Sequence, residues 1–139
     1  MKIIVLGCKG QLGRCLYDQL VNTDYDVIFT SRDQLDIADL NRTKRQILDL
    51  SPDVVINATA YTAVDKAEED KEMANLINHL AVANIASTCS EIGCFLVHVS
   101  SDYVFDGTAT MAYKEEDDTN PLGVYGDSKL KGEIAIRFS

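Results

Sequence analysis

Short apolar runs alternate along this chain with longer segments whose apolar residues recur at helical spacing. The runs occupy Lys2–Leu6, Asp26–Thr30, residues 53–60 and residues 94–100, and they are rich in β-branched side chains. Parallel strands need long connections, usually helices, so this alternation predicts a parallel sheet covered by helices. A chain of 139 residues can bury the core of one such domain. The sequence therefore predicts a single α/β domain over residues 1–139.

Helix signals fill the segments between these runs. The spacing predicts a first helix that begins near Leu12 and stops before Asn22, and a second that is capped by Asp39 or Asn41 and ends at Leu50. It also predicts one long helix over residues 63–92, ended by Gly93, and a last helix over residues 124–138. Residues 35–37 could form a very short additional strand.

Each unusual motif of the chain directly follows a predicted strand. The motifs occupy residues 7–13, 30–32, 57–62 and 100–103. In open parallel sheets, ligands bind in the crevice at the carboxyl ends of the strands. The motifs are therefore expected to meet at one edge of the sheet and to form one binding site.

Gly7, Gly10 and Gly13 lie between the first predicted strand and the first predicted helix. A tight turn and a close backbone approach to a pyrophosphate both need residues without Cβ, and a helix start offers N–H groups to phosphates. Three glycines alone could also mark an ordinary strand-to-helix turn. Their position favours a Rossmann-type doubly wound sheet that binds NAD(P)H, and two residues between successive glycines is typical of short-chain reductases.

The end of the second predicted strand bears on the choice between NADPH and NADH. A site that prefers NAD usually presents an acidic side chain there, whereas this chain has Thr30, Ser31 and Arg32. A guanidinium and a hydroxyl suit a ribose phosphate and therefore favour NADPH. Asp33 is adjacent and Arg32 could be a solvated loop residue, so NADH stays an alternative.

Tyr125 and Lys129 are four residues apart, which places both side chains on one face of a helix. A phenol exchanges protons poorly at neutral pH, and a neighbouring ammonium favours its phenolate form. Ser101 ends the preceding strand and could hydrogen-bond the same substrate oxygen. We therefore predict carbonyl reduction, in which the nicotinamide gives a hydride and Tyr125 gives a proton. A surface packing pair is the alternative for Tyr125 and Lys129.

Composition excludes several other classes of protein. A formal net charge of −9 argues against nucleic-acid binding, which depends on clustered Lys and Arg. No apolar stretch approaches membrane-spanning length, and the start does not resemble a signal peptide, so we expect a cytoplasmic protein that does not bind membranes. The cysteines lack metal-site spacing, so we expect no metal site and predict that all four are buried as small hydrophobic residues: Cys8, Cys15, Cys89 and Cys94.

Three blocks of sequence carry a resemblance to a known family. They are NATAYTAVDKAE at residues 57–68, SSDYVFDG at residues 100–107 and NPLGVYGDSKLKGE at residues 120–133. Together they resemble the dTDP-4-dehydrorhamnose reductases, which are extended short-chain dehydrogenases/reductases, and the similarity runs along the whole chain. The resemblance implies reduction of dTDP-4-dehydro-L-rhamnose with NADPH or NADH, to make dTDP-L-rhamnose for bacterial surface polysaccharides.

The resemblance also implies roles for individual residues. Ser101, Tyr125 and Lys129 match the catalytic trio, with Lys129 also holding the nicotinamide ribose. Ser101 and Asp102 match positions that face the sugar. Asn78 lies near a helix Asn implicated in proton relay in the wider superfamily, although a structural role is the alternative. The pyrophosphate turn is matched by Gly10, Gln11 and Leu12, and the adenine contact by Asp36 and Ile37. The cofactor wall is matched by Ala58, Ala60, Tyr61 and Thr62.

The chain departs from the family in length, because the family continues into a carboxyl-terminal lobe that grips the sugar nucleotide. We therefore expect an amino-terminal portion that binds cofactor weakly and turns over little substrate alone. Magnesium is associated with some members, but its ligands lie outside the matched segment. The sequence does not determine the oligomeric state, and a homodimer is compatible with it. Two alternatives stay open: an NADP-binding regulatory subunit of the methionine adenosyltransferase type, and another nucleotide-sugar reductase or epimerase.

Overall fold

A computed structural model describes all residues of the chain, 1–139. Four parallel strands form one sheet in the order β2-β1-β3-β4. The strands are β1 (Lys2–Leu6), β2 (Asp26–Thr30), β3 (Val54–Asn57) and β4 (Phe95–His98). The first strand of the chain, β1, lies inside the sheet: β2 pairs with one of its edges, and β3 followed by β4 lies on the other side. The α/β, Rossmann-type prediction is confirmed.

Helices and turns connect the strands. Two of them are not α-helical: a π-helical segment, called the π segment below, and a 3₁₀ turn at the end of β4. In chain order the elements are α1 (Gln11–Leu20), α2 (Leu40–Leu50), α3 (Val64–Ala67), α4 (Lys71–Asn75), the π segment (Leu76–Leu80), α5 (Ala81–Ile92), the 3₁₀ turn (Asp102–Val104) and α6 (Val124–Arg137). None of these helices is long and apolar enough to cross a membrane.

The two faces of the sheet are covered by different helices, as a doubly wound fold requires. One face packs against α2 and α5, and its core cluster comprises Ile4, Leu6, Leu35, Ile37, Ile47, Val55, Ala81, Ile85 and Cys89. On the other face, the Tyr17 ring of α1 lies 4.8 Å from the ring of Phe29 on β2. Alternate side chains of the sheet therefore point to different helical layers.

The short strand predicted at residues 35–37 is wrong. Leu35 and Ile37 are buried in the core, but their segment is a loop. The backbone N–H groups of Gln34 and Leu35 both donate to the Ser31 carbonyl oxygen, and Asp39 N–H donates to Asp36. Tight turns thus satisfy this backbone, and the apolar side chains fill the core without a strand.

The long helix predicted for residues 63–92 is interrupted, although its end at Gly93 is confirmed. Residues 68–70 separate α3 from α4, and the π segment separates α4 from α5. The helix predicted to begin at Asp39 or Asn41 begins with Asp39 as its cap, because the Asp39 carboxylate accepts a hydrogen bond of 3.0 Å from Arg42 N–H.

The prediction that all four cysteines are buried is correct only for Cys89. Cys15 is exposed, and Cys8 and Cys94 are half-buried. Cys8 belongs to the glycine turn, and Cys15 lies on α1 where it borders an open crevice, so both stay accessible. No group of three or more His, Cys, Asp or Glu side chains is arranged to hold a metal ion.

Candidate functional site

Two connected crevices open where the parallel strands end. The β2-side crevice, of about 460 Å³, includes the predicted site residues Gly7, Gly10, Arg32, Asp36, Ile37, Ala58, Ala60 and Tyr61. The β4-side crevice, of about 620 Å³, includes Gly10, Gln11, Leu12, Ala58, Ala60, Thr62, Tyr125 and Lys129. Gly10, Ala58, Thr59 and Ala60 line both crevices, so one extended ligand could run from β2 to α6 past the glycine turn.

Two glycines of the turn, Gly7 and Gly13, have no room for a side chain. Gly7 adopts φ +84°, and a Cβ there would lie 2.8 Å from the Thr59 side chain. A Cβ at Gly13 would lie 2.2 Å from the Gly7 carbonyl oxygen, so the start of α1 packs directly on the turn. Gly10 precedes α1 and provides no side-chain cap. The positive end of the helix dipole therefore faces the crevices, as an anion site requires.

The β2-side crevice places a cation beside a carboxylate. Arg32 Nε donates to Asp36 Oδ2 over 3.0 Å, and this is the one hydrogen bond of the exposed guanidinium. Burial opposes ionisation of Asp36, but hydrogen bonds from Ala38 N–H and Arg32 outweigh it and lower the pKa of Asp36. Ser31 is buried, and its hydroxyl donates to Gln34 Oε1 instead of facing the crevice. Arg32 is thus available to an anionic group, whereas Ser31 shapes the turn.

Helix α6 carries Tyr125 and Lys129 into the β4-side crevice together. Lys129 is 1% exposed, and its Nζ donates to the Val99 carbonyl oxygen over 2.6 Å and lies 3.2 Å from His98 Nε2. Burial lowers the pKa of Lys129, and the opposing influence of Glu133 is smaller. A buried amine that lines the same crevice as a phenol is an arrangement suited to proton transfer.

Tyr125 also lines a second, neighbouring cleft. This cleft contains Asp102 and Tyr103, and the Tyr103 ring meets the Tyr125 ring edge to face at 5.4 Å. The phenol of Tyr125 therefore stands at the boundary between the β4-side crevice and an open cleft. A substrate in the cleft could reach the same phenol as a cofactor in the crevice.

The structure does not bring Ser101 into the β4-side crevice. Its hydroxyl caps the 3₁₀ turn by accepting from Tyr103 N–H over 3.2 Å, and it lines a separate cleft with Asp102. Ser100 lines the crevice instead, and its Oγ is buried without a hydrogen-bond partner. Sequence reasoning passed over Ser100, although the paired serines signalled that either could face the site.

Asn78 links the cofactor wall predicted from sequence to α6. Its Nδ2 donates to the Tyr61 carbonyl oxygen and to Ser128 Oγ, each over 3.0 Å, and its Oδ1 accepts from Tyr61 N–H over 2.8 Å. Both amide protons are therefore used, and neither is left for a relay to Lys129. The π segment that holds Asn78 packs closely on Gly132, where a Cβ would lie 2.3 Å from the Asn78 carbonyl oxygen.

Glu68 supports the site from a distance. Its Oε1 accepts a hydrogen bond of 2.7 Å from Val124 N–H, at the start of α6. Gly123, the residue before α6, makes no side-chain cap of its own. The break between α3 and α4 thus lets Glu68 cap the helix that carries Tyr125.

These features define the class of protein. A doubly wound parallel sheet, a turn before α1 in which Gly7 and Gly13 have no room for a Cβ, and a crevice lined by a Tyr and a buried Lys constitute a Rossmann-type domain of the short-chain dehydrogenase/reductase kind. The chain belongs to the family described as RmlD substrate binding domain, whose model matches residues 1–139.

Named relatives agree with this assignment. A dTDP-4-dehydrorhamnose reductase of Burkholderia thailandensis is 44% identical over 136 residues, which are 98% of this chain and 45% of the relative. The crystal structure of a Clostridium acetobutylicum dTDP-4-dehydrorhamnose reductase superposes with a TM-score of 0.96 at 40% identity, covering 99% of this chain and 49% of that one. The corresponding Bacillus anthracis reductase in complex with NADP gives a TM-score of 0.94 at 33% identity, with coverage of 99% and 49%. This chain therefore spans about half the length of the relatives that it matches.

Proposed function

We propose that the protein reduces the keto group of dTDP-4-dehydro-L-rhamnose to give dTDP-L-rhamnose, with NADPH as the hydride donor. The observation that carries this proposal is the β4-side crevice, where the glycine turn, Tyr125 and Lys129 line one cavity. The reductase names of the relatives support the substrate, and the NADP complex of one relative supports the cofactor. The product would serve surface polysaccharide synthesis.

The residues present fit a dinucleotide. The glycines of the turn, Gly7, Gly10 and Gly13, leave its backbone uncovered at three positions, so a pyrophosphate could approach the N–H groups there. Asp36 and Ile37 would border the adenine in the β2-side crevice, while Lys129 would meet the nicotinamide ribose in the β4-side crevice. The buried Ser100 hydroxyl without a partner is a further group that a ligand in this crevice would satisfy.

Each reacting side chain has a separate task. When bound, NADPH supplies the hydride that reduces the carbonyl carbon. Tyr125 donates a proton to the carbonyl oxygen from its place between crevice and cleft. Lys129, fixed by the Val99 carbonyl oxygen, presents its amine to the crevice that the phenol also lines. Asp102 would contact the sugar from the cleft that it shares with Tyr125, and Ser101 from the neighbouring cleft that it shares with Asp102.

Arg32 supports NADPH over NADH. It lines the β2-side crevice, and its terminal nitrogens make no hydrogen bond within the chain. A guanidinium in this place would contact the extra phosphate of NADPH. The variant Arg32→Ala should weaken NADPH binding by about tenfold or more and change NADH binding little, since a charge-assisted contact contributes about 1.5 to 3 kcal/mol. Equal losses for both cofactors would remove the argument for NADPH preference.

The activity is tested with the full-length protein, dTDP-4-dehydro-L-rhamnose and NADPH or NADH, by following loss of nicotinamide absorbance. The variant Tyr125→Phe should lower kcat by about 10²- to 10⁴-fold, because it removes the proton donor. Tyr17→Phe is the matched control, since Tyr17 lies on α1 with an exposed ring and should keep full activity. No turnover by the unmodified protein with either cofactor would refute the proposed function.

A further inference from the structure

His98 is partly buried and contacts Lys129, and it has no role in the reaction proposed above. His98 ends β4, and its ring contacts two groups. Its Nε2 is 3.2 Å from Lys129 Nζ, and its Nδ1 is 3.2 Å from Asn57 Nδ2. Which of these nitrogens carries hydrogen follows from the groups around them.

The orientation of the Asn57 amide is fixed by Thr59. The Thr59 N–H donates to Asn57 Oδ1 over 3.1 Å, and the Thr59 hydroxyl lies 2.5 Å from the same oxygen. A backbone N–H can only donate, so the amide atom that faces it must be the oxygen. The Nδ2 group, which can only donate, therefore faces His98.

This orientation assigns the tautomer of His98. Because Asn57 donates to Nδ1, that nitrogen must carry a lone pair. Burial is the main cause that lowers the pKa of His98, to about 4, so the ring is neutral near pH 7. A neutral ring with a lone pair on Nδ1 carries its hydrogen on Nε2. The Nε2–H bond then points at Lys129 Nζ.

An ammonium at Lys129 would place two donors against each other. Neutral Lys129 has a lone pair that can accept from His98 Nε2–H, while one of its N–H bonds still donates to the Val99 carbonyl oxygen. Burial disfavours the charged form as well. The other ionisable groups near Lys129 are Glu133 on α6, which favours the ammonium, and Tyr125 on α6 and Cys15 on α1, which line the same crevice.

We propose that Asn57 and His98 are positioning residues that hold Lys129 as a neutral amine before a ligand binds in the β4-side crevice. A cofactor ribose offers hydroxyl oxygens that accept hydrogen bonds, and these would favour the ammonium form. Binding would then be coupled to uptake of a proton from solvent by Lys129. The inference deepens the proposed function, because it rests on Lys129 meeting the ribose there, but the tautomer of His98 does not depend on that role.

The tautomer is measured directly by long-range ¹H–¹⁵N spectra of the chain labelled with ¹⁵N-histidine. The chain has two histidines, so His79 serves as an internal reference. His98 should show hydrogen on Nε2 alone from about pH 5 upwards. Hydrogen on Nδ1, or a charged ring at pH 7, would overturn the inference while leaving the reductase assay unaffected.

The variant Asn57→Asp should move the hydrogen of His98 from Nε2 to Nδ1. A carboxylate accepts from Nδ1–H, which frees the Nε2 lone pair to accept from a Lys129 ammonium, and Oδ1 can still accept from Thr59. The proton affinity of Lys129, followed by its ¹³Cε shift against pH, should rise about tenfold or more. His98→Gln provides a second variant, because its amide oxygen can accept from the ammonium and should also raise the affinity.

Asn75→Asp is the matched control, because Asn75 Oδ1 contacts the other histidine, His79, over 3.0 Å. It adds the same charge and should leave the proton affinity of Lys129 unchanged. Calorimetry of NADPH binding in buffers of different ionisation enthalpy should show proton uptake that disappears in Asn57→Asp. An unchanged Lys129 in Asn57→Asp and His98→Gln, or equal changes in Asn57→Asp and the control, would overturn the inference.

Discussion

Replacing Gly13 by alanine tests whether the close packing of α1 on the glycine turn shapes the site. In an ordinary helix, Gly→Ala stabilises by about 1 kcal/mol. At Gly13 the new Cβ would lie 2.2 Å from the Gly7 carbonyl oxygen and 2.6 Å from the Cys8 Cα, both backbone atoms. Helix and turn would have to separate by about 1 Å, and such overpacking typically costs about 1 to 3 kcal/mol. The repulsion therefore outweighs the helix gain, and the free energy of unfolding should fall.

The same separation moves the first N–H groups of α1 away from the turn. A phosphate held by both would lose part of its contacts, so the Kd for NADPH should rise about tenfold or more. Urea unfolding followed by circular dichroism measures the stability, and quenching or enhancement of nicotinamide fluorescence measures the Kd. Gln19→Ala is the control on the exposed side of α1 and should change stability by less than about 0.5 kcal/mol. A Gly13→Ala variant that is as stable as the unmodified chain and binds NADPH equally well would refute the reasoning.

Three further predictions concern the cap of α6, acid stability and thiol reactivity. Glu68→Gln should lower the free energy of unfolding by about 0.5 to 1 kcal/mol in urea titrations, because α6 loses a charged cap, whereas exposed Glu69→Gln should not. Burial lowers the pKa of His98 to about 4, so the native state binds fewer protons than the unfolded chain below about pH 6.5. The free energy of unfolding should therefore fall by about 2 to 3 kcal/mol as the pH drops from 6.5 to 4. The variant His98→Gln should abolish this part of the pH dependence of stability. Burial raises the pKa of Cys89 to about 12, so a thiol reagent should modify exposed Cys15 first and Cys89 only after unfolding; modification of Cys89 at the rate of Cys15 would contradict its burial.

Local sequence patterns were sufficient to predict the four strands and the connection between β1 and α1. The run at Lys2–Leu6 is buried on both faces, so its apolar pattern is continuous and easily detected. Strand ends were less well predicted, because side chains decide them. Asn57 ends β3 by accepting from Thr59 N–H, while the apolar pattern continues to residue 60.

Tertiary contacts determine the features that the sequence did not reveal. The apolar pattern around Leu35 is typical of a strand, but the residue lies in a loop. Its side chain can be buried in the core without its backbone pairing with another strand. Glu68 is one acid among several in its segment until the fold places Val124 beside it. The point at which the chain turns after β4 decides that Ser100, and not Ser101, lines the β4-side crevice. Residue spacing in the sequence does not locate that turn. That Tyr125 and Lys129 line one crevice was predictable because both lie on one helix.

The central claim is that the glycine turn and α6 form one NADPH site. Backbone ¹H–¹⁵N spectra of the chain during NADPH titration test this most directly. NADPH bound there should cause the largest shift changes together on residues 10–13, Ser100 and Lys129, and should leave residues 114–118 unaffected. Changes confined to the glycine turn, or centred away from both crevices, would contradict it.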